Sequence, residues 1–307
     1  MLSPQVFPAP PFPDHALLDS GHGQKLERFG EVLLVRPDPQ ALWRPRLPEA
    51  EWQRADLTFE RESDRGGRWR PRPGAAAALA REGAEWHITF GGARLAVRPT
   101  PFKHVGVFPE QAANWALVEA VVMRLRAELG RAPRVLNLFG YTGAASVLAA
   151  LAGASVTHVD ASRASLTWTT DNAEASGLGR NALRVLCDDA LAFAERELRR
   201  ASLYEVILVD PPHYGRGPKG EVWRFEEGFA PLLEALSGLL AERALLVLST
   251  YAIGYSPLAF QNVLAELPGG SVEVGELALT EDERPGLPRR RLPAGFCARW
   301  WRGLELG

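Results

Sequence analysis

Residues 134–160 read RVLNLFGYTGAASVLAALAGASVTHVD, and the order of residue types along this stretch decides the fold. Val135 to Phe139 is a short apolar run with a β-branched start. The chain then breaks at Gly140, Tyr141, Thr142 and Gly143 before an Ala/Leu-rich segment of helical composition begins. Strand, glycine turn, helix is the reading. Glycine lets backbone approach a ligand where a Cβ would collide, Thr142 or Ser146 serves near the helix start, and the open N–H groups there favour negative charge. Ala154 to Val159 returns as a second strand, with Asp160 at its carboxyl end, twenty residues after Gly140. An acid in that place takes hydrogen bonds from ribose hydroxyls.

Asn137, Phe139 and Tyr141 stand where the dinucleotide fingerprint G-x-G-x-x-G or its flanks would put glycine or a small residue. Taken alone, this unit also suits a ligand-free strand-to-helix turn or an NAD(P)-dependent oxidoreductase. A second motif narrows the choice. Tyr204 to Asp210, YEVILVD, is a near-continuous apolar run of the kind expected of a central parallel strand, and it ends in Asp210-Pro211-Pro212-His213-Tyr214. Between the two motifs, Ala182 to Leu186 forms another strand, ending at Cys187-Asp188-Asp189-Ala190.

These residues resemble the class I S-adenosylmethionine-dependent methyltransferases. NLFGYTGAAS looks like their cofactor turn (Asn137, Phe139, Gly140, Tyr141, Thr142, Gly143), VDAS like the ribose-binding acid with its neighbours (Asp160, Ala161, Ser162), and DPPHY like the D-P-P-x-aromatic loop of members that methylate a base. The likeness covers roughly residues 100 to 307 and is nearest to bacterial 23S ribosomal RNA methyltransferases and a related, little-characterised group. It implies S-adenosyl-L-methionine as cofactor. An acid after the third strand then accepts the adenine amine, with Asp189 favoured over Asp188. In the segment TPFKHVGVFPEQAANW (100–115), the family places a Phe and a Gln against the cofactor, which here are Phe108 and Gln111; an inter-domain hinge is the other reading of that segment.

The expected architecture is α/β: a Rossmann-like seven-stranded domain over 99–307, a small β-rich domain over 14–98, and a proline-rich tail over 1–13. The β-rich reading rests on short runs (EVLLVR, EWHITF, ARLAVR) separated by Gly/Pro turns. No apolar run approaches a membrane span, and the N-terminus lacks the basic start and apolar block of a signal peptide, so a cytoplasmic protein is expected. Two cysteines without C-x-x-C spacing argue against a metal or disulfide framework. A net charge of −2 does not advertise a nucleic-acid binder, so any RNA affinity must come from local patches. The candidates are Arg61 to Arg72 with Trp69 among its arginines, Arg289 to Arg291, and a mobile flap from His213 to Trp223 carrying Arg216 and Lys219. Each is also readable as a solvated face. An exposed strand edge in the β-rich domain or the last hairpin offers a route to a dimer.

The resemblance directs the chemistry to Asp210, Pro211, Pro212, His213 and Tyr214. The Asp210 carboxylate and Pro211 carbonyl accept hydrogen bonds from an amino group and sharpen its lone pair, Tyr214 stacks on an extruded base, and His213 is a candidate proton acceptor. Methylation at pyrimidine C5 would need a cysteine in the D-P-P loop or just after the fifth strand, where Ser249-Thr250-Tyr251 stands instead. The predicted reaction is therefore methylation of a base nitrogen in ribosomal or other RNA. A small molecule or a protein side chain is the alternative acceptor.

Overall fold

The computed structural model describes residues 5–63, 66–81, 83–251 and 254–306. They form two units: those within 8–112 and 278–294, and those within 113–277 together with 5–7 and 295–306. The division departs from the expected 14–98 and 99–307, because the segment at 278–294 is held by residues far away in sequence. Glu281 accepts a hydrogen bond from Ser20 Oγ at 2.6 Å, and Arg290 donates to Asp19 at 2.8 Å.

Strand β1 (Val6–Pro8) comes from the expected tail. In the first unit β2 (His15–Gly21), β3 (Gln24–Phe29) and β4 (Val32–Pro37) form an antiparallel meander. A single turn of helix, α1 (Glu49–Trp52), leads to β5 (Leu57–Ser63), which pairs parallel with β4 and antiparallel with β6 (Gly66–Pro71). A separate hairpin joins β7 (Trp86–Phe90) and β8 (Ala93–Val97). The three β-like runs read from the sequence lie in β4, β7 and β8.

In the second unit α2 (Ala112–Leu129) precedes alternating elements: β9 (Arg134–Leu138), α3 (Ala144–Leu151), β10 (Ser155–Asp160), α4 (Arg163–Ala175), β11 (Leu183–Cys187), α5 (Ala190–Arg199) and β12 (Tyr204–Val209). The hairpin β13 (Tyr214–Arg216) and β14 (Val222–Arg224) follows, then α6 (Phe225–Ser237), β15 (Leu240–Thr250), α7 (Pro257–Ala265), β16 (Ser271–Thr280) and β17 (Arg291–Arg302). The sheet runs β1-β16-β17-β15-β12-β9-β10-β11. From β9 the chain winds outward to β11, then crosses to the other side at β12. The carboxyl ends of β9 and β12 therefore flank the topological switch point, where ligands bind in open α/β sheets.

Among the described residues, the seven expected strands are present and β1 joins them as an eighth at the edge. Gly275 in β16 has no Cβ, and one built there would lie 2.6 Å from the carbonyl oxygen of Gln5, so the tail's backbone can close on the edge; Glu276 N–H donates to that oxygen at 3.0 Å. The core between sheet and helices gathers Leu136, Ile207, Leu246, Phe193, Leu232 and Leu264 from β9, β12, β15, α5, α6 and α7, all at most 1% exposed. Among the described residues, no helix is long and apolar enough to cross a membrane.

Candidate active site

The turn after β9 is built under strain. Phe139 and Tyr141 have φ of 56° and 52°, and Gly143 has 82°. For a side chain other than glycine, this left-handed region costs about 1–2 kcal/mol, so the surroundings must over-determine it. They do so from behind. Thr169 Oγ1 donates to the Tyr141 carbonyl at 2.9 Å and Asn172 Nδ2 to the Thr142 carbonyl at 2.8 Å, both from α4. The Tyr141 N–H is taken by Asp160 Oδ2 at 2.9 Å. Gly140 is a glycine for a reason the sequence did not show: a Cβ there would lie 2.3 Å from Cε1 of His158.

Asp160 ends β10 as expected. Oδ1 accepts the Ser162 N–H at 2.8 Å and Oδ2 that of Tyr141. A carboxylate offers about four lone-pair sites, so each oxygen keeps capacity for a ribose hydroxyl. Burial pushes this carboxyl up, and the two N–H groups pull it back. Ser162 is the N-cap of α4, its Oγ accepting from Ser165 N–H at 3.2 Å, and the Ala161 carbonyl receives the Cys187 thiol at 3.5 Å. Asn137 is buried and donates to Ser146 Oγ at 2.9 Å.

The two acids after β11 are held in different ways. Asp189 is the N-cap of α5, with Oδ1 accepting from Ala192 N–H at 2.9 Å. Asp188 accepts the Asp189 N–H at 3.0 Å and the Arg196 guanidinium. Either leaves some acceptor capacity for an amine, but Asp189 is fixed by the helix it starts and Asp188 by a cation. Phe108 and Gln111 are carried by the β-rich unit at the 3-10 turn Pro109–Gln111, where Phe108 packs on the His104 ring at 5.0 Å. His104 is half-buried and stays neutral: desolvation, then Arg36 and Lys103, hold its pKa near 3.

At the end of β12, Asp210 is exposed, Pro211 buried, and Pro212, His213 and Tyr214 exposed. The expected mobile flap is instead an antiparallel hairpin with Tyr214 opposite Arg224 and Gly215 opposite Trp223. Trp223 is the reason. It is buried, its Nε1 donates to the Pro212 carbonyl at 2.7 Å, and its ring meets Phe139 at 4.9 Å. That ring contact joins the glycine turn to the D-P-P loop. His213 Nε2 lies 2.9 Å from Glu226 Oε1, and Tyr214 is half exposed. Neither Trp223 nor Glu226 was identified from sequence; each is separated from the loop by the hairpin turn.

Folding brings a thiol from far along the chain beside the end of β15. Cys297 on β17 stands opposite Ser249. Its thiol is buried against Asn114 Oδ1 at 3.3 Å, and burial, outweighing Arg299, pushes its pKa up to about 11. It is no ready nucleophile.

The basic candidates are largely paired. Arg68 bonds Glu62 at 2.7 Å, Arg70 bonds Glu60 at 2.7 Å and Arg72 bonds Asp56 at 3.1 Å. Arg65 lies outside the described residues. Trp69 donates Nε1 to the Thr100 carbonyl and packs edge-on against Phe59. Arg290 is committed to Asp19 and Glu281.

A family model described as S-adenosylmethionine-dependent methyltransferase matches residues 68–265. A SAM-dependent methyltransferase from Agrobacterium tumefaciens of known structure is 40% identical, covers 97% of this chain and 93% of its own, and superposes with a TM-score of 0.89. A structure described as a "putative methyltransferase complexed with SAH" (18% identity, 93% of this chain, 75% of that one, TM-score 0.66) shares the fold. So does one from Streptococcus mutans (17%, 93%, 75%, 0.67).

Proposed function

Because this chain belongs to the S-adenosylmethionine-dependent methyltransferase family, we propose that it methylates a base nitrogen in RNA, ribosomal RNA foremost, in the cytoplasm. The NAD(P)-dependent alternative is set aside by that membership. The residues present fit the cofactor: Asp160 keeps acceptor capacity on both oxygens, and the turn's carbonyls at 141 and 142 are bonded within the protein. When bound, S-adenosylmethionine supplies an electrophilic methyl group for in-line displacement. The protein's share is to orient the acceptor and exclude water.

The observation that carries the reading is the Asp210-to-Tyr214 loop, in which an exposed acid and an exposed aromatic ring stand four residues apart on a braced hairpin. Asp210 accepts a hydrogen bond from the amino group and stabilises the positive charge that develops on its nitrogen. The Pro211 carbonyl is the second acceptor, and Tyr214 offers a face for the base. The His213–Glu226 pair gives a path for the proton released after transfer.

One observation favours a small-molecule or protein acceptor instead. Around the loop Arg216, Lys219 and Arg224 are matched in number by Glu221, Glu226 and Glu227. Labelled-methyl transfer separates the readings. Ribosomal RNA from cells lacking the gene should take up label, whereas label entering only protein or a small-molecule fraction would move the function to the second reading. Asp210→Ala should cut transfer by about a hundredfold or more while leaving S-adenosylhomocysteine affinity within about threefold. Collapse of that affinity would make the loop a cofactor element.

A further inference from the structure

Under the glycine turn, four buried side chains from four elements form a single hydrogen-bonded chain. Asn137 Nδ2 donates to Ser146 Oγ at 2.9 Å, Ser146 Oγ lies 2.9 Å from His158 Nδ1, His158 Nε2 lies 3.2 Å from Thr169 Oγ1, and Thr169 Oγ1 donates to the Tyr141 carbonyl at 2.9 Å. All four are at most 5% exposed. Counting protons sets the direction. Thr169 spends its one hydrogen on a backbone carbonyl, so its oxygen accepts from His158 Nε2–H, and Nδ1 of the neutral ring is left to accept from Ser146, which also takes the Asn137 N–H. The imidazole then carries its proton on Nε2 and gives it to Thr169, whose own hydrogen reaches Tyr141. The Ser165 carbonyl, 3.0 Å from Thr169 Oγ1, is the competing acceptor. The imidazole's proton on Nε2 is what leaves the Thr169 hydrogen available for one of them. Burial, against a smaller pull from the Tyr141 backbone, lowers the His158 pKa to about 4, so the ring is neutral at pH 7, as a one-proton chain requires.

The same ring is the floor of the turn, since Gly140 has no room for a Cβ above it. Tyr141 is thus gripped at both ends of its left-handed backbone, by Thr169 at the carbonyl and Asp160 at the N–H. We propose that His158 is a positioning residue for the cofactor: through Thr169 it holds the Tyr141 peptide, and through that peptide it orients the Asp160 carboxylate toward the ribose. The inference rests on reading Asp160 as the ribose acceptor.

Calorimetric titration of the full-length protein with S-adenosylhomocysteine tests it, at a temperature where circular dichroism shows each variant folded. His158→Leu and Thr169→Val should each weaken binding about fivefold to tenfold, as expected for losing one buried hydrogen-bonded link. Thr169→Ser, which keeps the hydroxyl, should return to within about twofold. The His158→Leu/Thr169→Val double variant should be no weaker than the worse single one, because both break one chain. A purely structural role would lower melting temperature and add in the double variant, without rescue by serine. If His158→Leu does not fold, the Thr169 pair carries the test alone. Wild-type affinity in Thr169→Val, with Asp160→Ala weakened, overturns the inference and spares the ribose reading. Wild-type affinity in Asp160→Ala overturns the ribose reading, and the route through Asp160 falls with it.

Discussion

Each unit buries a polar cluster around histidine, and the two clusters are built on opposite principles. Beneath the glycine turn, Asn137, Ser146, His158 and Thr169 are all neutral and each bond has a direction. In the β-rich unit the cluster is ionic: fully buried Glu27 is held by Arg36 at 2.6 Å and Lys25 at 3.8 Å, His15 lies 3.2 Å away, and Lys25 also meets Asp38 at 3.2 Å. Burial alone would push the Glu27 carboxyl up; Arg36 and Lys25 outweigh it and leave it well below the usual carboxylate range. No cation figures among the influences on Asp160, whose shift comes from burial and two N–H groups. An ionic cluster quenches its own charge and serves to fix structure. A neutral chain leaves the one carboxylate beside it unneutralised and so available to a ligand.

Four measurements test that contrast, beginning with the largest effect. Glu27→Gln strands Arg36 and Lys25 in the interior and should lower unfolding free energy by about 3–5 kcal/mol, read by guanidinium denaturation at pH 7. A loss below about 1 kcal/mol would mean the cations relax to water and the cluster is not an interior one.

Acid should expose the neutral cluster. The folded pKa of His158 lies below its unfolded value of 6.5, so the unfolded state binds more protons between them. The stability due to the neutral ring is complete above about pH 6.5 and is lost as pH falls toward about 4, in total on the order of 3 kcal/mol. The stability gap between wild type and His158→Gln should therefore narrow over that window. A gap constant from pH 7 to pH 4 would show that the ring is already charged or solvated.

Asp160→Ala should weaken S-adenosylhomocysteine binding by about tenfold to a hundredfold, equivalent to about 1.5–3 kcal/mol. A larger loss in 1 M salt than in 0.1 M would contradict a buried, cation-free carboxylate. The smallest effect is expected at the solvent-exposed pair Arg70–Glu60. Arg70→Ala should change stability by less than about 0.5 kcal/mol and leave RNA affinity in filter binding unchanged. A clear drop in RNA affinity would restore the β5–β6 arginines as an RNA grip.

The features legible in the sequence were local ones. The strand, turn and helix at 134–151 follow from an apolar run, glycines and an alanine-rich segment, and the acids mark strand ends because Asp160 follows a mostly β-branched run, Val156 to Val159, and Asp210 a near-continuous apolar one. What the sequence could not show depends on partners far along the chain. Gly140 reads as a ligand-clearance glycine until His158 is found beneath it, and Arg68, Arg70 and Arg72 read as free until Glu62, Glu60 and Asp56 meet them. Trp223 turns an expected flap into a braced hairpin by reaching back to Pro212 and Phe139.

By itself, then, the sequence determined the order of elements, the turn and the carboxylates at strand ends, because periodicity and backbone preference act over a few residues. The tertiary structure alone decided which of Asp188 and Asp189 caps a helix, that Cys297 lies beside Ser249 yet is inert, that the tail supplies an eighth strand, and that His158 stands under the turn. Each of these is set by close packing and hydrogen bonding between residues brought together only when the chain folds.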